Sequence, residues 1–320
     1  MGKPQAQHEN QIPTIGAVAQ LVARATPDRK VVLGGQALTA ETKLASGIGL
    51  GTVESLVQKG WNVAILDVND SSGAEAASKH GDQVSYLHTN VASYDEQAKS
   101  FNRIYQKWGR IDFVYANAGI LDRSNFVAPE EEFAYGAPRQ PDTLVLDVNL
   151  VGVVWSSYLA LHYFRKNGVQ GGKLVMTSSS AGIYAIPEIS LYAATKHAII
   201  GLARSLGTRM VEQNEPITVN AIIPGMVPTS ILSDEIVHAV PKGFRTPISL
   251  IVQVIGNIID DSSITGQAIE CSGSEIRARP PLPFMNEAAE FTAGGKYKES
   301  LEADAVLKVG TQAGERFDHI

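Results

Sequence analysis

Short runs rich in β-branched and aromatic residues recur along this chain, and segments of helical period separate them. The runs fall at residues 30–33, 62–66, 84–88, 111–116, 173–177, 218–223 and 267–271. The periodic segments include 51–59, 94–108 and 193–213. Strands alternating with helices of ten or more residues make βαβ units, whose strands run parallel. The run IDFVYA, at 111–116, is apolar at almost every position, as a strand covered on both faces must be. The pattern therefore predicts an α/β fold: a parallel sheet of about seven strands with helices on both faces.

Residues 29–280 form this domain. Residues 1–28 read as a peripheral N-terminal extension, and 281–320 as a C-terminal tail that is first Pro-rich and then polar. Residues 129–142 read as a surface loop whose three consecutive glutamates form a solvated face. No internal repeat of fixed period is present.

Composition narrows the partner. The chain has 320 residues, 44% hydrophobic and 19% charged, with a net charge of −6 and both signs dispersed. No run of Lys or Arg offers a nucleic-acid or membrane patch, so a small-molecule partner is expected. The single cysteine, Cys271, excludes an intramolecular disulfide and suits a reducing compartment, the cytoplasm. No membrane span is expected, because the most apolar long stretch, 144–164, contains Asp147 and Asn149. His88 and His162 lack metal-ligand spacing, so no metal site is expected.

The chemistry concentrates in SSSAGIYAIPEISLYAATK, which begins at Ser178. Tyr192 and Lys196 are spaced i, i+4 at a helix start and share a face. A free tyrosine has a pKa of about 10, too high for a base at neutral pH. A neighbouring ammonium lowers it by favouring the phenolate, so the pair can exchange a proton with an alcohol or ketone oxygen. Ser179 stands at a strand end, where its hydroxyl could hold the same oxygen; a one-residue slip would promote Ser178 or Ser180 instead. His197 points away from this face and reads as structural.

With these residues in place the chain resembles the short-chain dehydrogenase/reductase family, over roughly residues 29–275. YANAGI (115–120), DVNLVGVV with Asn149, SSSAG…YAATK, NAIIPGMVPT (220–229) and ITGQAIECSG occur in the family's order. The resemblance is strongest to its 15-hydroxyprostaglandin dehydrogenase-like subgroup, although Ile189 stands where prostaglandin enzymes carry a polar Gln. It implies a single-domain, doubly wound Rossmann fold. It also implies an NAD(P)-dependent oxidoreductase that interconverts a secondary alcohol and a ketone by hydride transfer. Tyr192 would be the general acid/base. Lys196 would bind the nicotinamide ribose and lower the Tyr192 pKa. Ser179 would polarise the carbonyl, and Asn149 would hold a water linking Lys196 to solvent. Asn117, Ala118 and Gly119 would lie near the adenosine ribose, Asn90 and Val91 against the adenine. Pro224, Gly225, Val227 and Thr229 would form the turn beside the nicotinamide. A homodimer or homotetramer is implied as well.

NAD is expected rather than NADP. Asp67 ends the second predicted strand, where a carboxylate accepts hydrogen bonds from ribose hydroxyls and repels a 2′-phosphate. Ser46 sits where NADP-preferring relatives often carry a base. The glycine loop is unusual. Gly34 and Gly35 follow the first strand, but Gly47, Ile48 and Gly49 come only after an intervening segment. In one register the residues from Gln36 to Leu44 are an insertion that opens the loop. In the other, Thr42 to Gly49 is the loop and Lys43 replaces a glycine. The first is preferred, since KVVLGG reads as strand then turn.

The substrate is expected to be a hydrophobic small molecule, a lipid or secondary metabolite, because Ile231, Phe244, Ile248 and Ile251 line a short lid region. Two alternatives stand beside this reading. One is a nucleotide- or partner-binding protein impaired by the opened loop; the other is a dehydratase or epimerase on the same fold.

Overall fold

The computed structural model describes residues 20–24, 29–33, 47–123, 127 and 135–295. Residues 1–279 form one compact unit, and 280–320 a second. Nine strands make one sheet in the first unit, in the order β4-β3-β1-β2-β5-β6-β7-β8-β9. They are β1 (Gln20–Arg24), β2 (Arg29–Leu33), β3 (Trp61–Asp67), β4 (Val84–His88), β5 (Phe113–Ala116), β6 (Gly172–Thr177), β7 (Ile217–Pro224), β8 (Ala268–Ser272) and β9 (Glu275–Ala278). Strands β2 to β8 correspond to the seven sequence runs, with ends shifted by a residue or two. The pairs β3–β4, β5–β6, β6–β7 and β7–β8 are parallel, as βαβ connections require.

Two strands correct the expectation. Gln20–Arg24 belongs to the sheet, running antiparallel beside both β2 and β3, so residues 1–28 are not wholly peripheral. The stretch QLVAR is short and mildly apolar. Its place comes from backbone hydrogen bonds to its neighbours, which leave no periodic signal in sequence. Strand β9 adds an antiparallel edge, with Cys271 opposite Ile276.

Helices cover both faces because strand side chains alternate. Ala64, Leu66, Val114, Leu174 and Met176 point to one layer. There they pack with Phe101 and Ile104 of α3 (Tyr94–Trp108), Phe164 of α5 (Gly152–Arg165) and Ile199 of α6 (Ser190–Glu212). Val63, Ile65, Phe113, Tyr115 and Val175 point to the other. Their partners are Val53 and Leu56 of α1 (Ile48–Gln58) and Ile251, Val254 and Ile258 of α8 (Ile248–Asp260). Helix α2 (Asp70–His80) follows β3, capped by Asn69, which accepts from the Ser72 N–H at 3.0 Å.

A π-helical turn, Asp147–Val151, joins the short α4 (Leu144–Leu146) to α5. The whole helix Leu144–Arg165 is long and apolar enough to cross a membrane by length and composition, contrary to expectation. Here it is a core helix, with Val153, Leu159, Ala160 and Phe164 buried. Helix α7 (Asp234–Ala239) follows β7. In the second unit α9 (Glu287–Ala293) is capped by Asn286. The three glutamates of the 129–142 loop lie outside the described residues.

Candidate active site

Three strand ends and the start of one helix build a cleft of about 470 Å³ at the carboxyl edge of the sheet. Crevices outside the carboxyl ends of such strands are where ligands bind in doubly wound sheets. Asn117 and Gly119 come from the segment after β5, Thr177 to Ser180 from the end of β6, and Pro224 to Thr229 from the turn after β7. Helix α6 supplies Tyr192 and Lys196 from its first two turns.

The start of α6 is fixed from outside. Its N-cap, Ile189, has no side chain to offer the free N–H groups. Asp122, in the loop after β5, accepts from Leu191 N–H at 3.0 Å and Tyr192 N–H at 2.6 Å. A carboxylate at a helix N-terminus is also favoured by the helix dipole. Asp122 therefore sets where Tyr192 sits. It was not among the expected site residues, because a cap supplied from far along the chain carries no local motif.

Tyr192 is 9% exposed and Lys196 2%. Ser179 lines the cleft beside Tyr192 and is the side chain that acts on its hydroxyl. Burial holds the phenol above its ordinary pKa, and Ser179 opposes this. Against expectation, Lys196 does not figure among the causes of the Tyr192 shift: burial dominates, and Ser179 alone opposes it. Lys196 lies with its Nζ 5.4 Å from the Tyr192 ring centre. Burial brings the ammonium down from 10.5 to about 8, and it donates to the Thr177 carbonyl at 2.9 Å.

The three serines take different places. Ser178 is buried and donates to the Lys196 carbonyl at 2.7 Å, while Ser180 opens a 3₁₀ turn. Ser179 accepts from Ala181 N–H at 3.2 Å and is the serine that acts on Tyr192.

Asn149 is fully buried in the π-helical turn. Its Oδ1 accepts from Ile120 N–H at 2.8 Å, and its Nδ2 donates to the Ile120 carbonyl at 2.8 Å and to Thr195 Oγ1 at 3.4 Å. Thr195 in turn donates to the Tyr192 carbonyl at 2.6 Å. Both amide hydrogens are engaged, so only a lone pair of Oδ1 remains for a water. The side chain ties the loop after β5 to α6. A Cβ at Gly119 would make only ordinary contacts, 3.4 Å from Lys196 Nζ and 3.5 Å from Asn149 Oδ1.

The dinucleotide positions are spread along the same edge. Gly47 is the N-cap of α1, with Ile48 and Gly49 in its first turn. No side chain caps that end and no acid lies in its first turn, so its N–H groups suit a phosphate. Asp67 closes β3. It is buried, and burial raises its carboxyl from 3.8 to about 8. It accepts from Asn69 N–H at 3.0 Å and, among the described residues, forms no salt bridge. Its buried carboxyl is a hydrogen-bonding partner for ribose hydroxyls, so the described residues fit a nicotinamide dinucleotide. Asn90 accepts from Ala92 N–H at 2.9 Å, and Val91 is buried beside Ala118. Asn117 accepts from Thr177 Oγ1 at 2.8 Å, tying β5 to β6. Thr229 is buried at the end of the turn that starts at Pro224 and Gly225 and includes Val227. Gly34, Gly35 and Ser46, and the segment from Gln36 to Leu44, lie outside the described residues.

Of the apolar lid residues expected to face substrate, Ile231 lines the cleft. Phe244 is 72% exposed, and Ile248 and Ile251 pack with the α1–α8 layer instead. The helical period of α8 turns those isoleucines to the core. Leu121, Ile186 and Leu232 take their place at the cleft and were not singled out in sequence. His197 is exposed, its Nδ1 2.9 Å from the Ala193 carbonyl. Cys271 is buried and its thiol raised to about 11. Among the described residues no group of His, Cys, Asp and Glu could hold a metal.

A doubly wound sheet with a tyrosine, a lysine and a serine in its carboxyl-edge crevice fits the short-chain dehydrogenase/reductase class that the sequence resembles. The chain matches the short chain dehydrogenase family over residues 42–238 and belongs to it. The family match begins at Thr42, inside the segment that separates the glycines. The enzyme is thus an NAD(P)-dependent dehydrogenase/reductase acting on CH–OH groups. It is 34% identical to the short-chain dehydrogenase/reductase prx7 of Penicillium rubens, over 78% of this chain and 89% of the relative. Human 15-hydroxyprostaglandin dehydrogenase [NAD(+)] is 31% identical, over 60% of this chain and 68% of the relative. A 3-ketoacyl-(acyl-carrier-protein) reductase from Brucella melitensis shares the fold, with a TM-score of 0.62 and 21% identity. That likeness covers 72% of this chain and 95% of the other.

Proposed function

We propose that the protein interconverts a secondary alcohol and a ketone on a hydrophobic small molecule, with NAD(H) preferred. One observation carries this: Tyr192, whose hydroxyl Ser179 influences, stands with Ser179 in a cleft walled by Leu121, Ile186, Ile189, Ile231 and Leu232. A carbonyl oxygen placed between the two hydroxyls takes a hydrogen bond from each. Burial keeps Tyr192 protonated at neutral pH, the form that donates a proton during ketone reduction. In the reverse direction the same oxygen gives its proton back to Tyr192. The Lys196 ammonium, fixed by the Thr177 carbonyl, stabilises negative charge on the phenol as the proton leaves. The apolar walls exclude water from the exchange. The nicotinamide, when bound, supplies or takes up the hydride. The uncapped end of α1 would hold its pyrophosphate, and Asp67 its adenosine ribose.

The NAD preference rests on Asp67, whose buried carboxyl can hydrogen-bond ribose hydroxyls and offers no cation to a 2′-phosphate. Relatives whose names specify NAD(+) agree with it. Cytoplasmic residence and a homodimeric or homotetrameric state belong to the same reading; light scattering measures the latter. The test is a screen of apolar secondary alcohols and ketones with both cofactors. Turnover with kcat/KM higher for NAD(H) is expected. Failure to turn over any member, or a higher kcat/KM with NADP(H), would overturn it.

A further inference from the structure

Glu188 sits on the 3₁₀ turn Pro187–Ile189, directly ahead of α6, and its side chain lines the cleft. It is exposed, whereas Tyr192 and Lys196 are buried at the floor. These three are the ionisable residues of the cleft lining among the described residues. The rest of the substrate wall is apolar, formed by Leu121, Ile186, Ile189, Ile231, Leu232 and Ile236. Among the described residues, a substrate therefore meets one exposed carboxylate in the lining of the cleft that holds Tyr192. The one cation of that lining, Lys196, is buried and donates to the Thr177 carbonyl, whereas Glu188 is the exposed charge.

We infer that Glu188 is a charge filter at the mouth of the cleft, admitting neutral or cationic apolar ketones and disfavouring those that carry a carboxylate. The inference rests on the proposed reading of the cleft as an apolar ketone site. Between partly solvated charges the discrimination is modest, roughly fivefold in affinity. It weakens as salt screens the pair.

Calorimetric titration of the full chain with saturating NADH tests it. The probes are an eleven-carbon methyl ketone and the same chain ending in a carboxylate. The ketone is expected to bind roughly fivefold more tightly than the keto acid at low salt. That ratio should fall toward one in Glu188→Gln, invert in Glu188→Lys and shrink at high salt in the native protein. Glu75→Gln removes the same charge from the exposed face of α2 and should leave the ratio as it is. Equal affinities in the native protein, or equal effects of Glu75→Gln and Glu188→Gln, would overturn the filter alone. Binding of neither probe would overturn the apolar-site reading, and the filter with it.

Discussion

At the scale of single residues, burial shifts the protonation equilibria of Tyr192 and Lys196 in the candidate site. Tyr192→Phe removes the proton donor while keeping the ring, and Phe fills the same space. Its kcat is expected to fall by about 10²–10⁴, with NADH affinity by fluorescence titration nearly unchanged. Retained turnover would remove Tyr192 from its role. Asp67 offers a second reading at this scale. Replacing it with Ser removes the carboxyl group from the ribose position. The kcat/KM ratio of NADH to NADPH should then fall by about tenfold or more. An unchanged ratio would show that discrimination lies elsewhere. The Tyr–Lys pair was legible in sequence because a helix gives i, i+4 residues a common face. The direction of the Tyr192 shift was not, since it depends on how deeply the phenol is buried.

At the scale of elements, the active site depends on how α6 and the π-helical turn are tied to the loop after β5. Asp122 caps α6 from that loop, and Asn149 binds both backbone groups of Ile120. Asp122→Ala leaves the first N–H groups of α6 without their acceptor. It should cost about 1 kcal/mol of stability and lower kcat more than it raises KM, because Tyr192 loses its anchor. Rescue of kcat by Asp122→Asn, which keeps an acceptor, separates positioning from charge. Asn149→Ala strands a buried N–H and C=O. It should lower the denaturant-unfolding stability by about 1–3 kcal/mol per unsatisfied group. A loss within ±0.5 kcal/mol would mean that the backbone of Ile120 finds other partners. Sequence pattern located both helices, but neither tie, since each joins residues far apart in the chain.

At the scale of the whole molecule, two buried ionisable groups couple folding to pH in opposite senses. Asp67 has a folded pKa of about 8 against 3.8. Between those values the folded state holds a proton that the unfolded state has released, so stability falls as pH rises through this window. Lys196 has a folded pKa of about 8 against 10.5. Between those values the unfolded state binds more protons, so its penalty is full below about 8 and is relieved as pH rises toward 10.5. Urea unfolding of the cofactor-free protein from pH 5 to 10 should therefore show the Asp67 slope below pH 8, flattened in Asp67→Asn. Absence of any difference between the two proteins would refute a buried, protonated Asp67.

The sequence by itself determined the alternating architecture, the seven parallel strands and the Tyr192–Lys196 pair. Periodicity and fixed spacing are local, and a helix or strand converts them directly into faces. Only the tertiary structure decided that Gln20–Arg24 enters the sheet, that Ile248 and Ile251 serve the core and not the cleft, and that Asp122 anchors the catalytic helix. Those outcomes depend on which distant backbone groups need hydrogen-bond partners and which helix face meets the sheet. Both are settled only when the elements pack together.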